Sequence, residues 1–306
     1  MLVRRKACSR YGGFFRQSNY HTLISDEFDV MKTHAAKGGE IIKETFKSIG
    51  TMTMYLENQC TTLSGKEKDM LKIEHLSKNY GDKKAVDDLN LYIAPGEIYG
   101  FIGHNGAGKS TTLKSVAGIL QFDTGEIYID GKSIRTQPLE CKRSFAYIPD
   151  NPDLYDYMTG IKYLNFIADI FGVSAKDRQM RIRKYGDLFE MTGELSQPIA
   201  AYSHGMKQKL AIISAWLHQP KLILMDEPFV GLDPKASHLL KGMMREVCDA
   251  GGAIFFSTHV LEVAEKLCDK VAIIKNGKLI RSGTMEEVKG DDSLEDVFLE
   301  LEGGSC

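Results

Sequence analysis

No stretch of this 306-residue chain approaches the roughly 18 apolar residues that a bilayer-crossing helix needs; AIFFSTHV and AIIKNGKLI are strand-length or broken by charge. The chain itself is therefore not expected to span a membrane. A secretory signal is missing too, because the basic opening MLVRRKACSR runs into glycine and polar residues instead of an apolar segment. That opening shares its arginine content with mitochondrial transit peptides, but Gly12, Gly13 and the acidic cluster DEFD spoil the amphipathic helix such a peptide needs. The six cysteines, Cys8, Cys60, Cys141, Cys248, Cys268 and Cys306, form no C-x-x-C pair and no metal-ligand spacing. This argues against a disulfide framework or a zinc site and fits the reduced thiols of a cytosolic protein. Charge of one sign is also lacking: the formal net charge is −2, with no basic stripe interleaved with aromatics, so no nucleic-acid partner is expected.

What is present is a globular composition, 43% apolar, with two motifs that carry chemistry. Residues 103–110 read GHNGAGKS, a complete G-x-x-x-x-G-K-S phosphate loop. Gly103, His104, Asn105, Gly106, Ala107 and Gly108 supply backbone N–H groups that can turn towards phosphate, and Lys109 reaches the β and γ phosphates of a nucleotide. The Ser110 hydroxyl is placed to ligand Mg²⁺, and Thr111 follows it at the start of a helix. The context agrees, since EIYGFIG before the loop reads as a buried strand and KSTTLKSVAGIL after it has helical periodicity. The second motif, LILMDEP at residues 222–228, brings Asp226 and Glu227 to the end of an apolar strand. ATP with Mg²⁺ is the expected ligand.

The chain divides into a poorly patterned beginning and a regular remainder. Residues 1–69 hold 11 basic and 8 acidic residues, with weak periodicity until GGEIIKETFKSI, which suggests a short helix. From Met70 the segments LKIEHLSKNY, DLNLYIA, EIYGFIG and GEIYID read as short strands. A more helical section follows, in TGIKYLNFIADIFG, AKDRQMRIRKYGDLFEM and SHGMKQKLAIISAWL. Strand and helix then alternate from LILMDEP to KVAIIK, which implies a parallel sheet covered by helices with the helical section inserted into it. The expected divisions are an extension at 1–69, an ATPase domain at 70–290 with the helical subdomain at about 150–219, and a short tail at 291–306.

The order of these motifs resembles the ATP-binding subunits of ABC transporters, from about Leu71 to about Leu301. The resemblance implies an α/β fold: a P-loop NTPase core of the ABC ATPase type, an antiparallel β subdomain and an inserted α-helical subdomain. Tyr80 stands where the family stacks adenine. AYSHGMKQK at residues 201–209 takes the place of the family signature, keeping Ser203 and Gly205 but carrying His204 and Met206 where glycine and glutamine are usual. The family binds there the ATP of a facing subunit, so the resemblance implies a dimer of two ATPase subunits. It also implies that Asp226 holds Mg²⁺ through water, that Glu227 polarises the attacking water, that GLDP at 231–234 is the D-loop and that His259 senses the γ-phosphate. The family's Q-loop glutamine is replaced by Asp150, which on this resemblance is a further Mg²⁺-site residue that can accept from metal-bound water but cannot donate as an amide does.

The endings GKLIRSGTMEEV and SLEDVFLEL, with YIPDNPDLYD and YSHGMKQK, resemble bacterial exporter ATPases of the Ecs and bacitracin-resistance types. On that resemblance the expected function is a cytoplasmic ATPase, peripheral on the inner face of the cell membrane through separate integral membrane subunits, that powers export. The alternative is a soluble ABC-type ATPase acting on a partner such as the ribosome. Ribosomal members carry two fused ATPase domains and DNA-repair members long coiled-coil insertions, neither of which is seen here. No N-K-x-D guanine-reading motif points to GTP. Because the family-like pattern begins at MLKIEHLSKNY and GKEKD before it is encodable by a purine-rich, ribosome-binding-like stretch, translation is expected to start at Met70, the alternative being that residues 1–69 are a regulatory or partner-binding arm.

Overall fold

The computed structural model describes residues 69–301 and Gly303, so the helix expected in GGEIIKETFKSI and the expected start at Met70 concern residues outside the described ones. Two sheets organise the chain. Strands β1 (Leu71–Tyr80), β2 (Lys83–Ile93), β4 (Thr124–Ile129) and β5 (Lys132–Ser133) form an antiparallel sheet in the order β2-β1-β4-β5. In β1, Leu71 and Ile73 are buried while Lys72 and Glu74 alternate with them, the pattern of a sheet with one face on a core.

The second sheet contains β3 (Ile98–Ile102), β6 (Phe145–Ile148), β7 (Leu222–Asp226), β8 (Ala253–Thr258), β9 (Lys270–Lys275) and β10 (Lys278–Thr284), ordered β10-β9-β3-β8-β7-β6. All neighbours are parallel except β10, which returns antiparallel to β9 at the edge. Every residue of β3, β7 and β8 is buried, which explains their uninterrupted apolar runs: both faces are covered. Side-chain alternation splits the interior in two. Ile254 and Phe256 join Met225 and Ile273 under the helices, whereas Ala253 and Phe255 join Leu224 and Ile274 towards the antiparallel sheet.

Helix α1 (Lys109–Val116) lies on the face shared with the antiparallel sheet, where Leu113 and Val116 are fully buried. Short α2 (Pro138–Ser144) precedes β6. The inserted helical section is α3 (Gly160–Ile170), α4 (Ala175–Leu188), a 3₁₀ turn at Ile199–Ala201 and α5 (His204–Trp216). Its three α-helices begin at Thr159, Ser174 and Ser203, whose side chains each accept from the N–H three residues on, caps worth about 0.5–2 kcal/mol each. After the insertion come α6 (Pro234–Asp249), α7 (Leu261–Leu267), α8 (Met285–Lys289) and α9 (Leu294–Leu301). Helix α9, within the stretch read as a tail, buries Leu294, Val297 and Phe298 against the main core. Among the described residues no helix is long and apolar enough to cross a membrane.

The parallel strands share one carboxyl-end edge. The phosphate loop leaves β3, Asp226 and Glu227 end β7, and His259 follows β8, so chain direction alone gathers them. The antiparallel sheet delivers Tyr80 to the same edge after a kink in β1. Register against β4 shifts between Glu74 and Ser77, where His75 adopts φ 51°, and Gly125 crosses this bulge at φ 98°. A Cβ on Gly125 would sit 2.5 Å from both the Glu74 and His75 carbonyl oxygens. Gly125→Ala is expected to cost about 2–4 kcal/mol, from strain and overpacking together, read as a lower urea midpoint; an unchanged midpoint would show that the bulge relaxes freely.

Candidate functional site

The phosphate loop owes its shape to residues that cannot carry a side chain. Gly108, at the N-terminus of α1, has φ 114°, and a Cβ there would collide with the Ala85 carbonyl oxygen of β2. The first turn of α1 then faces the cleft, and its leading N–H groups have no intrahelical acceptors. Lys109 is 5% exposed, and its Nζ donates to the carbonyls of Gly103 at 2.5 Å and His104 at 3.2 Å. Burial holds its pKa below the ordinary lysine value, against the opposing pull of Glu227 and Asp226.

Asp226 and Glu227 are adjacent but differently held. Asp226 is 2% exposed, and its Oδ1 accepts from the Ser257 hydroxyl at 2.5 Å. The same Ser257 oxygen accepts from the Glu227 N–H at 3.1 Å, and the Ser257 carbonyl accepts from it at 3.2 Å. Glu227 takes φ 48°, an uncommon conformation for a side chain of its size, costing about 1–3 kcal/mol. That turn ends the strand and directs the carboxylate into the cleft. Glu227 Oε1 lies 2.9 Å from His259 Nδ1, which is not aligned to donate to it, and 3.7 Å from Lys109 Nζ, beyond hydrogen-bond reach. A buried carboxylate oxygen is thus left as an acceptor facing the phosphate loop.

A cleft of about 270 Å³ is lined by Tyr80, Lys83, Ala85, His104, Asn105, Gly106, Gly108, Lys109, Ser110, Thr111, Asp150 and Glu227. Tyr80 is 51% exposed at its mouth, with its ring 5.6 Å from Lys78 Nζ. Asp150 stands on the rim. Partial burial, then the charges of Asp226 and Glu227, raise its pKa, with His204 and His259 opposing. Tyr147, which no motif singled out, is raised well above the ordinary phenol value by burial and by the same neighbours Asp226 and Asp150, so it stays neutral. Gly103, Ala107, Asp226, His259, Ser203 and Gly205 are not among the lining residues. Gly103 and Ala107 complete the loop, while Asp226 and His259 adjoin it through Ser257 and Glu227.

Ser203 and Gly205 belong to a separate surface at the start of α5. Ser203 is exposed, and its Oγ accepts from the Met206 N–H at 3.3 Å. The His204 ring and Gly205 press on residue 231: a Cβ on Gly231 would meet His204 Cδ2 at 2.5 Å, and one on Gly205 would meet the Gly231 carbonyl oxygen at 2.7 Å. Lys209 Nζ reaches Asp233 at 2.7 Å, which caps α6 through the Ala236 N–H. Buried Gln208 donates from Nε2 to the Pro228 carbonyl at 3.4 Å, joining α5 to the chain just after Glu227. The sequence hid these links because each depends on residues that meet only after β7 and α5 pack.

The pattern of the family described as ABC transporter matches residues 86–230. The chain is 35% identical over 237 residues to the ABC-type transporter ATP-binding protein EcsA of Bacillus subtilis (strain 168), covering 76% of this chain and 96% of EcsA. It is 31% identical over 219 residues to the linearmycin resistance ATP-binding protein LnrL of the same organism, covering 72% of this chain and 70% of LnrL. A solved structure described as the ATP binding subunit of an ABC transporter superposes with TM-score 0.73 at 36% identity, covering 76% of this chain and 99% of that one. The chain belongs to the ABC transporter family, as an ATP-binding ATPase subunit that powers transport.

Proposed function

We propose that this chain closes on ATP as a dimer with a second ATPase subunit, and that closure and hydrolysis drive an exporter whose membrane-spanning subunits are separate chains. The observation that carries the reading is the division of the site. One surface gathers Tyr80, the phosphate loop, Asp150 and Glu227, while Ser203 stands exposed at a helix start apart from that cleft, suited to the phosphates of a facing subunit. Export is supported by the likeness to a protein named for linearmycin resistance. Separate membrane subunits are supported by the likeness to a structure described as a subunit. The segment before and within α3 is where membrane-subunit loops would dock, with Tyr155, Tyr157, Met158 and Tyr163 as its aromatic and apolar residues; of these Tyr157 is 79% exposed beside Tyr155, Met158 is half-buried, and Tyr163, 5% exposed, packs inward.

In this reading Tyr80 stacks adenine, the N–H groups of residues 103–111 hold the phosphates, and Lys109 balances the β and γ charge. Glu227 Oε1 accepts a hydrogen bond from the water that attacks the γ-phosphorus; the P–O bond to that water forms and the bond from the γ-phosphorus to the β–γ bridging oxygen breaks. The water's proton passes by way of Glu227 to the phosphate released, and ADP and inorganic phosphate leave. His259, in contact with Glu227, stands where it orients that carboxylate and reaches the γ-phosphate. The donors fit Mg²⁺: the Ser110 hydroxyl and the Asp226 carboxylate are hard oxygens, with Asp150 a carboxylate on the rim. Among the described residues no group of three or more His, Cys, Asp or Glu is arranged to hold a metal alone, so most ligands would come from phosphate and water, as Mg²⁺ prefers. When bound, the ion supplies charge neutralisation at the β and γ phosphates.

Glu227→Gln is expected to retain ATP binding, lower turnover at least about a hundredfold and accumulate ATP-bound dimers in size-exclusion chromatography. Turnover near the wild-type rate would remove Glu227 from this role. Asp150 yields a test with a defined sign. Its raised folded pKa means that ionised Asp150 opposes folding above the ordinary carboxylate range, an effect absent once the group is protonated in both states. Asp150→Asn should therefore raise the melting temperature at pH 7 by on the order of 1 °C after solvent screening, with the gain fading as pH falls through the raised pKa towards the unfolded value. A gain independent of pH, or a loss at pH 7, would contradict the assigned combination of burial and neighbouring carboxylate charge at Asp150.

A further inference from the structure

We propose that Phe298, on the C-terminal helix α9, is a positioning residue for the phosphate loop and acts through His104. The Phe298 ring meets the His104 ring edge-on, with centroids 5.0 Å apart and planes at 66°. Phe298 is 7% exposed, whereas His104 is exposed and lines the cleft, so one partner is fixed in the core and the other borders the ligand space. An aromatic edge on an aromatic face is directional, and it restricts both the His104 rotamer and the loop backbone that carries it.

The anchoring of α9 makes this contact firm at both ends. Its last residue, Leu301, accepts through its carbonyl from Lys275 Nζ at 3.1 Å, at the end of β9. The preceding residue, Ile274, braces the loop itself: a Cβ on Gly103 would collide with the Ile274 carbonyl oxygen, and one on Gly108 would lie 3.3 Å from its Cδ1. At its other end, the Leu294 N–H donates to Glu265 Oε2 at 3.4 Å, and Glu265 also pairs with Lys289 at 2.6 Å. Glu265 lies on α7, the helix that begins two residues after His259. Helix α9 thus ties the strand behind the phosphate loop to the helix behind His259, and Phe298 is the side chain that extends the tie to the loop.

The inference rests on the reading of residues 103–111 as the ATP phosphate site, and its test separates the two. Affinity of the full chain for Mg-ATP would be measured by calorimetry for Phe298→Leu, which keeps apolar volume but removes the ring, for Phe298→Tyr, which keeps the ring, and for Lys109→Ala. Phe298→Leu should weaken binding about threefold to tenfold, measured at a temperature where the variant stays folded because the loss of a buried ring lowers its melting temperature, and Phe298→Tyr should recover most of the lost affinity. In a His104→Ala background Phe298→Leu should add little, because the route is already cut. Wild-type affinity in Phe298→Leu alongside lost binding in Lys109→Ala overturns the positioning role and leaves the site standing. Wild-type affinity in Lys109→Ala overturns the site. A full loss from Phe298→Leu without His104 overturns the route through that ring.

Discussion

The hydrogen bond from the buried Ser257 hydroxyl to Asp226 is a small interaction on which the carboxyl-end edge of the parallel sheet depends. It joins β7 to β8 at their carboxyl ends, satisfies one oxygen of a nearly inaccessible carboxylate and, through the same Ser257 oxygen, receives the N–H of Glu227. Without it a buried charge would lack its hydroxyl donor, an expensive defect in a low-dielectric setting. With it, two neighbouring carboxylates face different tasks: one is pinned between strands, and the other turns outward at positive φ with an oxygen aimed at the phosphate loop.

Around that bond the site is a crowd of negative charge arranged before any phosphate arrives. Partial burial first, and then the charges of Asp226 and Glu227, raise the affinity of Asp150 for a proton, while burial loosens the proton of Lys109 against the opposing pull of Glu227 and Asp226. The sheet supports this because β7 is apolar and buried from Leu222 to Met225 before it reaches Asp226. Stability resides in Phe255, Phe256, Leu224 and Met225, all without solvent exposure, while the strained residue lies one position beyond the strand.

The parts legible in the sequence are those in which physics requires a contiguous pattern. A phosphate loop needs its glycines, lysine and hydroxyl in one stretch, and a doubly covered strand needs an unbroken apolar run; GHNGAGKS, LILMD and AIFFST announce themselves for these reasons. What stayed hidden joins distant positions through a single side chain. Ser257 looks like any strand serine until β7 lies beside it, Lys83 and Ala85 reach the cleft only because β2 returns past Tyr80, and Phe298 reads as one apolar residue in an amphipathic helix. Strand β10 escaped notice because GKLIRSGT, an exposed edge, lacks the apolar run of its neighbours.

The contact between the start of α5 and residue 231 also constrains how the molecule deforms. Where side chains separate two segments, rotamer changes absorb small displacements. Here Gly205 and Gly231 meet almost backbone to backbone beneath the His204 ring, and Lys209 fastens the cap of α6. Such a joint has little slack. A rotation of the inserted helices therefore reaches the turn at 231–234 as displacement of the main chain itself, making that joint a stiff lever between the part of the fold furthest from the phosphate loop in sequence pattern and the helix that follows Glu227.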